Sequence, residues 1–138
     1  MNIRYLHTLD SLTEDRLAGG FFEDWPNPPS PSSFLRLLKG SSYVVLAENA
    51  DTGQIVGFVN ALSDGVLSAY IPLLEVIPEY RGHGIGQELV RLILEKLDGH
   101  YMVDLLCDAE LESFYAKLNL RPAGGMMLRN YKNQSGMP

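Results

Sequence analysis

Runs of apolar and polar positions divide the chain into a small number of elements. NIRYLH (Asn2–His7) alternates and predicts a short first strand. SSYVVLAEN (Ser41–Asn49) is rich in β-branched residues and predicts a second. ADTG turns the chain, and QIVGFVNALS (Gln54–Ser63) returns as its hairpin partner. After a turn at Ser63–Gly65, VLSAYIPLLEVIP (Val66–Pro78) predicts a third long strand. Pro72 lies inside it and cannot donate to a ladder, so the strand should sit at an edge, bulge or splay near that point.

Helical spacing is clearest after Gly84. Ile85, Leu89, Leu92, Ile93 and Leu97 recur on one face, while Glu88, Arg91 and Glu95 take the other. YMVDLLC (Tyr101–Cys107) follows as a nearly continuous apolar strand. Strand, glycine turn, helix and strand make a βαβ unit, which requires a parallel pair. Two further helices are predicted before the first hairpin. SLTEDRLAGG (Ser11–Gly20) has a Ser or Thr cap, first-turn acids and terminal glycines. PSSFLRLLKG (Pro31–Gly40) has Ser30 as N-cap, proline at its first position and Gly40 at its close. Between them, four prolines within the thirteen residues Phe21–Ser33 exclude regular structure. AELESFYAKLNL (Ala109–Leu120) predicts the last helix, with Asn119 where a left-handed C-cap is needed. GGMMLRNY (Gly124–Tyr131) predicts a closing strand.

Composition narrows the class. A chain of 138 residues with 46% hydrophobic and 20% charged residues suits one domain with a real core, and residues 1–138 are read as a single domain. The net charge of -6 argues against a nucleic-acid partner, which needs a basic face. One cysteine, Cys107, excludes an intrachain disulfide framework and a zinc cluster, and it reads as a small buried residue. With no apolar leader at Met1 and no run long enough to span a bilayer, no membrane partner is expected and the cytoplasm is the expected compartment. His7 and His100 have no partner pattern, so no metal is expected. His83 reads as an exposed loop residue.

The candidate chemistry lies in PEYRGHGIGQELVRLILEKL (Pro78–Leu97). A helix leaves its first N–H groups unpaired and carries positive charge at that end, and glycines ahead of it remove the Cβ atoms that would obstruct an anion. This reads as a phosphate cradle. It is not a P-loop, since no Gly-Lys pair followed by Ser or Thr is present. It also fails the dinucleotide fingerprint, which puts Gln87 or Leu89 where glycine is required. The spacing present is Arg81-x-x-Gly84-x-Gly86.

That spacing resembles the acyl-CoA signature of the GNAT N-acetyltransferase superfamily. LEVIPEYRGHGIGQELV (Leu74–Val90) is similar to the family's strand, proline, glycine loop and helix. DAELESFYAKLNL (Asp108–Leu120) is similar to its second motif, a helix with Phe-Tyr ahead of a lysine and a turn. The resemblance implies an α/β (α+β) fold with a mixed, mostly antiparallel central sheet, flanking helices, and a splayed strand pair holding acyl-CoA. It implies an enzyme that moves an acetyl group from acetyl-CoA to a primary amine of a small molecule or peptide, by direct attack in a ternary complex. The alternative is an acyl-CoA-binding module with little or no transfer. Monomer and homodimer both stay open.

Carried over by residue, the resemblance implies that Leu74 and Val76 hold the pantetheine arm, with the Val76 backbone polarising the thioester. It implies that the N–H groups of Arg81, Gly82, His83, Gly84, Ile85 and Gly86 bind the pyrophosphate. Asp108 stands where the family often has an Asn that contacts pantetheine. Tyr115 matches the tyrosine that protonates the departing thiolate, and a phenol with a pKa near ~10 holds that proton at neutral pH. The family's usual carboxylate before the Val76 position is missing, since Tyr70, Ile71, Pro72 and Leu73 stand there. Glu75 is the only acid on the strand and the candidate general base. Phe21, Phe22 and Trp25 either line an acceptor pocket or pin the proline-rich loop, and Glu23 and Asp24 beside them suit a cationic amine.

Overall fold

The computed structural model describes residues 1–137. Its centre is a six-stranded sheet of β1 (Ile3–Leu6), β2 (Tyr43–Asn49), β3 (Ile55–Ser63), β4 (Ser68–Tyr70), β5 (Leu74–Val76) and β6 (Met102–Asp104). The helices are α1 (Pro31–Lys39), α2 (Ile85–Lys96) and α3 (Glu112–Ala116). Strand order is β1-β2-β3-β4-β6, with β5 also paired to β3. Every pairing is antiparallel except β4 with β6. The sheet is therefore mixed and mostly antiparallel, with the parallel pair where the βαβ pattern requires it. No helix among the described residues is long and apolar enough to cross a membrane.

β3 supplies two cores, its alternation shifted by one residue at the irregularity opposite Ala47 and Glu48. Val56, Val59 and Ala61 face α2, where they meet Ile85, Leu89 and Ile93. Ile55 and Phe58 face the other way, onto Phe22, Phe34 and Leu38 of the α1 side. Burying each large side chain of α2 contributes about 1.5–3 kcal/mol; of the stripe predicted from spacing, Ile85, Leu89, Ile93 and Leu97 are buried, Leu92 is only partly so, and Val90 is buried beside them. Gly57 allows this close packing, since a Cβ there would lie 3.1 Å from Leu89 Cδ1 and 3.3 Å from the Glu75 carbonyl oxygen. On the outer face Arg91 bridges Glu88 and Glu95.

Pro72 breaks the third predicted strand into β4 and β5. Before the break, the Ile71 N–H donates to the Asp104 carbonyl of β6. After it, β5 stays with β3 and leaves β6, so the sheet opens between β5 and β6. Ser30 caps α1 by accepting from the Ser33 N–H at 3.1 Å, and Asn119 takes the left-handed cap conformation at φ 71°.

Four expectations change. Glu14–Leu17 forms only a 3-10 turn. The apolar run at Tyr101–Cys107 is a strand over three residues only, because Leu105–Cys107 lie past the last ladder contact with β4. The last helix has five α-helical residues after a 3-10 turn at Ala109–Leu111. No strand forms at Gly124–Tyr131, where Met126, Met127 and Leu128 are 96%, 68% and 86% exposed.

Candidate active site

The opening beside β5 is set by register. Val76 lies opposite Gly57, Glu75 opposite Phe58 and Leu74 opposite Val59. The Ile77 N–H bonds the Val56 carbonyl, and the Asn60 N–H bonds the Leu73 carbonyl. Backbone direction alternates along a strand, so the polar groups of Leu74 and Val76 point away from β3 into the opening. The Val76 carbonyl accepts from Arg81 Nε at 2.9 Å. Its N–H is the group left facing the gap.

At its Val76 end the opening adjoins a cavity of about 270 Å³ lined by Val76, Tyr80, Arg81, Gly82, Gly84, Ile85, Gly86, Gln87 and Phe114, while Leu74, Asp108 and Tyr115 are not among its lining. Gly82 and Gly84 both have φ of 81°, and nothing lies within 4 Å of a Cβ placed on either. The backbone there adopts a conformation suited to glycine and leaves open space in front of it. The first backbone bond of α2 runs from the Glu88 N–H to the Gly84 carbonyl. The N–H groups of Ile85, Gly86 and Gln87 therefore have no backbone partner among the described residues, and the same holds for Gly82, His83 and Gly84. Arg81 differs from expectation. Its N–H closes a turn on the Pro78 carbonyl, so it offers the cavity a side chain and no free amide. Free donors next to the dipole of a 12-residue helix suit a diphosphate. The Ile85 side chain faces inward and only 3% of its surface is exposed, so only its backbone is available.

Tyr115 sits on α3, buried behind Phe114, whose ring meets its own edge to face at 4.9 Å. Burial pushes its phenol above the usual range, and the nearby Cys107 thiolate would push the same way. Tyr115 is thus protonated at neutral pH and able to donate. Asp108 is exposed and precedes the 3-10 turn ahead of α3. His83 is exposed on the glycine loop. Cys107 is exposed rather than buried, because the chain leaves the sheet after β6. His100 has a partner that the sequence did not reveal, with Nε2 2.7 Å from Ser63 Oγ.

Glu75 projects to the opposite face of β5, toward α1. Its Oε1 accepts the Phe22 N–H at 2.6 Å. Burial pushes its carboxyl above the ordinary range. The Phe22 hydrogen bond and Arg81 pull it back, while Asp24 and Glu23 push it further up. Phe22 is 2% exposed, in edge contact with Phe34 at 5.0 Å and Phe58 at 6.0 Å, so it pins the proline-rich loop. Trp25 is only partly buried and packs on Phe22 at 4.8 Å. It also lines a second cavity of about 400 Å³ with Arg129, Asn130, Tyr131 and Gln134. Those four residues were missed in the sequence, since they lie more than 100 positions from Trp25. The tail is brought there by bonds from the Asn27 N–H to Gln134 Oε1 at 2.8 Å and from Asn27 Nδ2 to the Tyr131 carbonyl at 3.3 Å.

Known proteins resemble this chain in sequence and fold. The model of the Acetyltransferase (GNAT) family matches residues 9–120. N-alpha-acetyltransferase 30 of Saccharomyces cerevisiae is 34% identical over 91 residues, which is 62% of this chain. The matched part is 51% of the yeast protein, so the chain spans about half of that relative's length. A crystal structure of an inferred acetyltransferase from Deinococcus radiodurans R1 is 51% identical, with a TM-score of 0.94 over 99% of this chain and 94% of that one. A GNAT family acetyltransferase from Streptococcus pneumoniae TIGR4 is 22% identical, with a TM-score of 0.75 over 94% of this chain and 98% of that one, and shares the fold.

Proposed function

Because the chain belongs to the GNAT acetyltransferase family, we propose that it is an acetyl-CoA-dependent N-acetyltransferase acting on a primary amine by direct attack in a ternary complex. One observation carries the reading. The gap between β5 and β6 adjoins, at Val76, a cavity whose other end is the glycine cradle on α2. A long thioester with a diphosphate at one end fits a slot of that form. When bound, acetyl-CoA supplies the activated acyl group.

The residues divide the work as follows. Gly82, His83, Gly84, Ile85, Gly86 and Gln87 donate N–H groups to the pyrophosphate, with the Arg81 side chain at the cavity wall. Leu74 and Val76 line the gap, and the Val76 N–H orients the arm beside it. Asp108, at the head of α3, is assigned to the same arm. Tyr115 returns a proton to the leaving sulfur. Glu75 takes a proton from the incoming ammonium, directly or through water, since only a neutral amine has the lone pair that attacks a carbonyl. Its raised pKa suits that task better than an ordinary glutamate would.

The acceptor is a small-molecule or peptide amine. Asp24 and Glu23 both lie close enough to Glu75 to act on it electrostatically, and such a group of acids attracts a cation. The likeness to an N-alpha-acetyltransferase favours a peptide α-amine, and the cavity beside Trp25 supplies polar side chains along which a peptide can lie. Residues 1–138 act as one transferase domain, and the cytoplasm is the proposed compartment. An acceptor panel tests the reading, with peptides, polyamines and amino sugars each offered with acetyl-CoA. N-acetylated product with matching thiol release is expected, greatest for peptides. Tight acetyl-CoA binding without product from any amine would favour the binding module instead.

A further inference from the structure

The cavity of about 400 Å³ beside Trp25 lies between the proline-rich loop and the tail. Its walls are tied down from both sides. Asn27 holds the tail twice, through Gln134 Oε1 at 2.8 Å and the Tyr131 carbonyl at 3.3 Å. Arg36 of α1 donates to the Met137 carbonyl. Tyr131–Asn133 forms a 3-10 turn, and Trp25 packs on the buried ring of Phe22. Walls that are already fixed lose little entropy when a ligand enters.

The lining is one-sided in charge. Trp25 and Tyr131 give aromatic surface, Asn130 and Gln134 give amides, and Arg129 is the one charged residue. Among the described residues no carboxylate pairs with Arg129. Its guanidinium makes one long bond, from Nη1 to the carbonyl of Leu128 at 3.4 Å. In a chain of net charge -6, an unpaired cation in a cavity without acids marks a place for an anion. The guanidinium fork matches the planar geometry of a carboxylate, and its single charge balances one.

Across Trp25 the charge reverses. Asp24 precedes it in the chain, and Phe22, which it touches, donates its N–H to Glu75 at 2.6 Å. Asp24 and Glu23 both act on Glu75. The two sides together have an acidic end at Glu75 and a basic end at Arg129, with aromatic rings between them. Resting on the transferase reading for the amine, we propose that the cavity beside Trp25 is a subsite for a carboxylate on the acceptor, and that Arg129 selects amines that carry one beyond the acetylated nitrogen. An acidic side chain early in a peptide meets this description, and so does the free C-terminal carboxylate of a dipeptide.

Trp25 is the only tryptophan in the chain, so its fluorescence reports on the cavity. The wild type, with CoA added, is titrated with C-terminally amidated alanyl peptides that carry Asp, Asn or Lys at the second or third position. Ala-Gly with a free and with an amidated terminus is titrated in parallel. The carboxylate form should bind about two- to fivefold more tightly than its amide, the range of an exposed ion pair, and the arm that shows this identifies the source of the carboxylate. The preference should shrink in high salt. Arg129→Gln should abolish it, and Arg129→Glu should turn it toward the lysine peptide. Arg129 is exposed, so both variants should keep the wild-type circular dichroism spectrum. With acetyl-CoA, the same preference should appear in KM and leave kcat little changed. Charge-selective binding without acetylated product would support the subsite and remove the transferase reading. No fluorescence response, equal binding of acid and amide in both arms, or a preference that survives Arg129→Gln would overturn the subsite, whether or not acetyl transfer is seen.

Discussion

The Phe22 N–H donates to Glu75 Oε1 at 2.6 Å from a left-handed backbone, φ 62°, that a bulky residue seldom adopts. Packing of Phe22 against Phe34 and Phe58 holds that conformation. The result is a carboxylate fixed by one backbone donor and surrounded by aromatic rings and two further acids.

Glu75→Gln removes the charge and keeps the shape. If Glu75 is the base, turnover should fall mainly at low pH, where the amine is most protonated. High pH should partly rescue it, because free amine is then abundant. Superimposable pH–rate profiles for wild type and variant would contradict the assignment.

The same residue predicts a stability trend. Its folded pKa lies above the ordinary 4.5, so the native state holds the proton more tightly than the unfolded chain does. Stability from this group is therefore full at low pH and is lost as pH rises from 4.5 through the folded value. Glutamine does not ionise. The melting temperature of Glu75→Gln relative to wild type should climb over that window. A difference that is flat with pH would show that the carboxyl is not perturbed in the fold.

Tyr115→Phe keeps the ring and its packing behind Phe114. Turnover should fall on the order of 10²-fold, the low end for general acid catalysis, with acetyl-CoA affinity unchanged. Because burial raises its pKa, the alkaline limb of the wild-type rate profile should lie above the ordinary tyrosine range. Unchanged turnover, where chemistry limits the rate, would make Tyr115 a core residue only.

Gly84→Val acts through the backbone. At φ 81° a side chain costs roughly 1–2 kcal/mol, and its branch enters the space in front of α2. Calorimetry on the folded variant should show acetyl-CoA binding abolished. Unchanged affinity would remove the cradle from the account.

A separate prediction concerns the back of the sheet. Glu48 is 4% exposed and bonds Arg4 at 2.6 Å as well as Arg16. Glu48→Ala leaves the Arg16 guanidinium largely buried without its carboxylate and should cost about 3–5 kcal/mol. Arg4→Ala, at an exposed partner, should cost at most ~1 kcal/mol. Urea denaturation of both variants measures the contrast, and equal losses would contradict it.

The sequence discloses some elements and hides others for physical reasons. α2 and the β2–β3 hairpin are legible because their periodicity is local. The break at Pro72 is legible because a missing N–H excludes a regular ladder. The bond from the Phe22 N–H to Glu75 is not, since nothing in a phenylalanine codes for positive φ. The predicted strand at Gly124–Tyr131 rests on a correct apolar pattern. A strand, however, also needs a partner edge, and none within this copy takes it. Cys107 reads as buried only while β6 is assumed to continue past Asp104.

The most direct test follows labelled acetyl groups from acetyl-CoA with and without an amine acceptor. The account predicts that label moves to the amine nitrogen with one thiol released per product. Without the amine, no label should stay on the protein. Label on the protein in the absence of amine, or thiol release with no N-acetylated product, would contradict direct transfer.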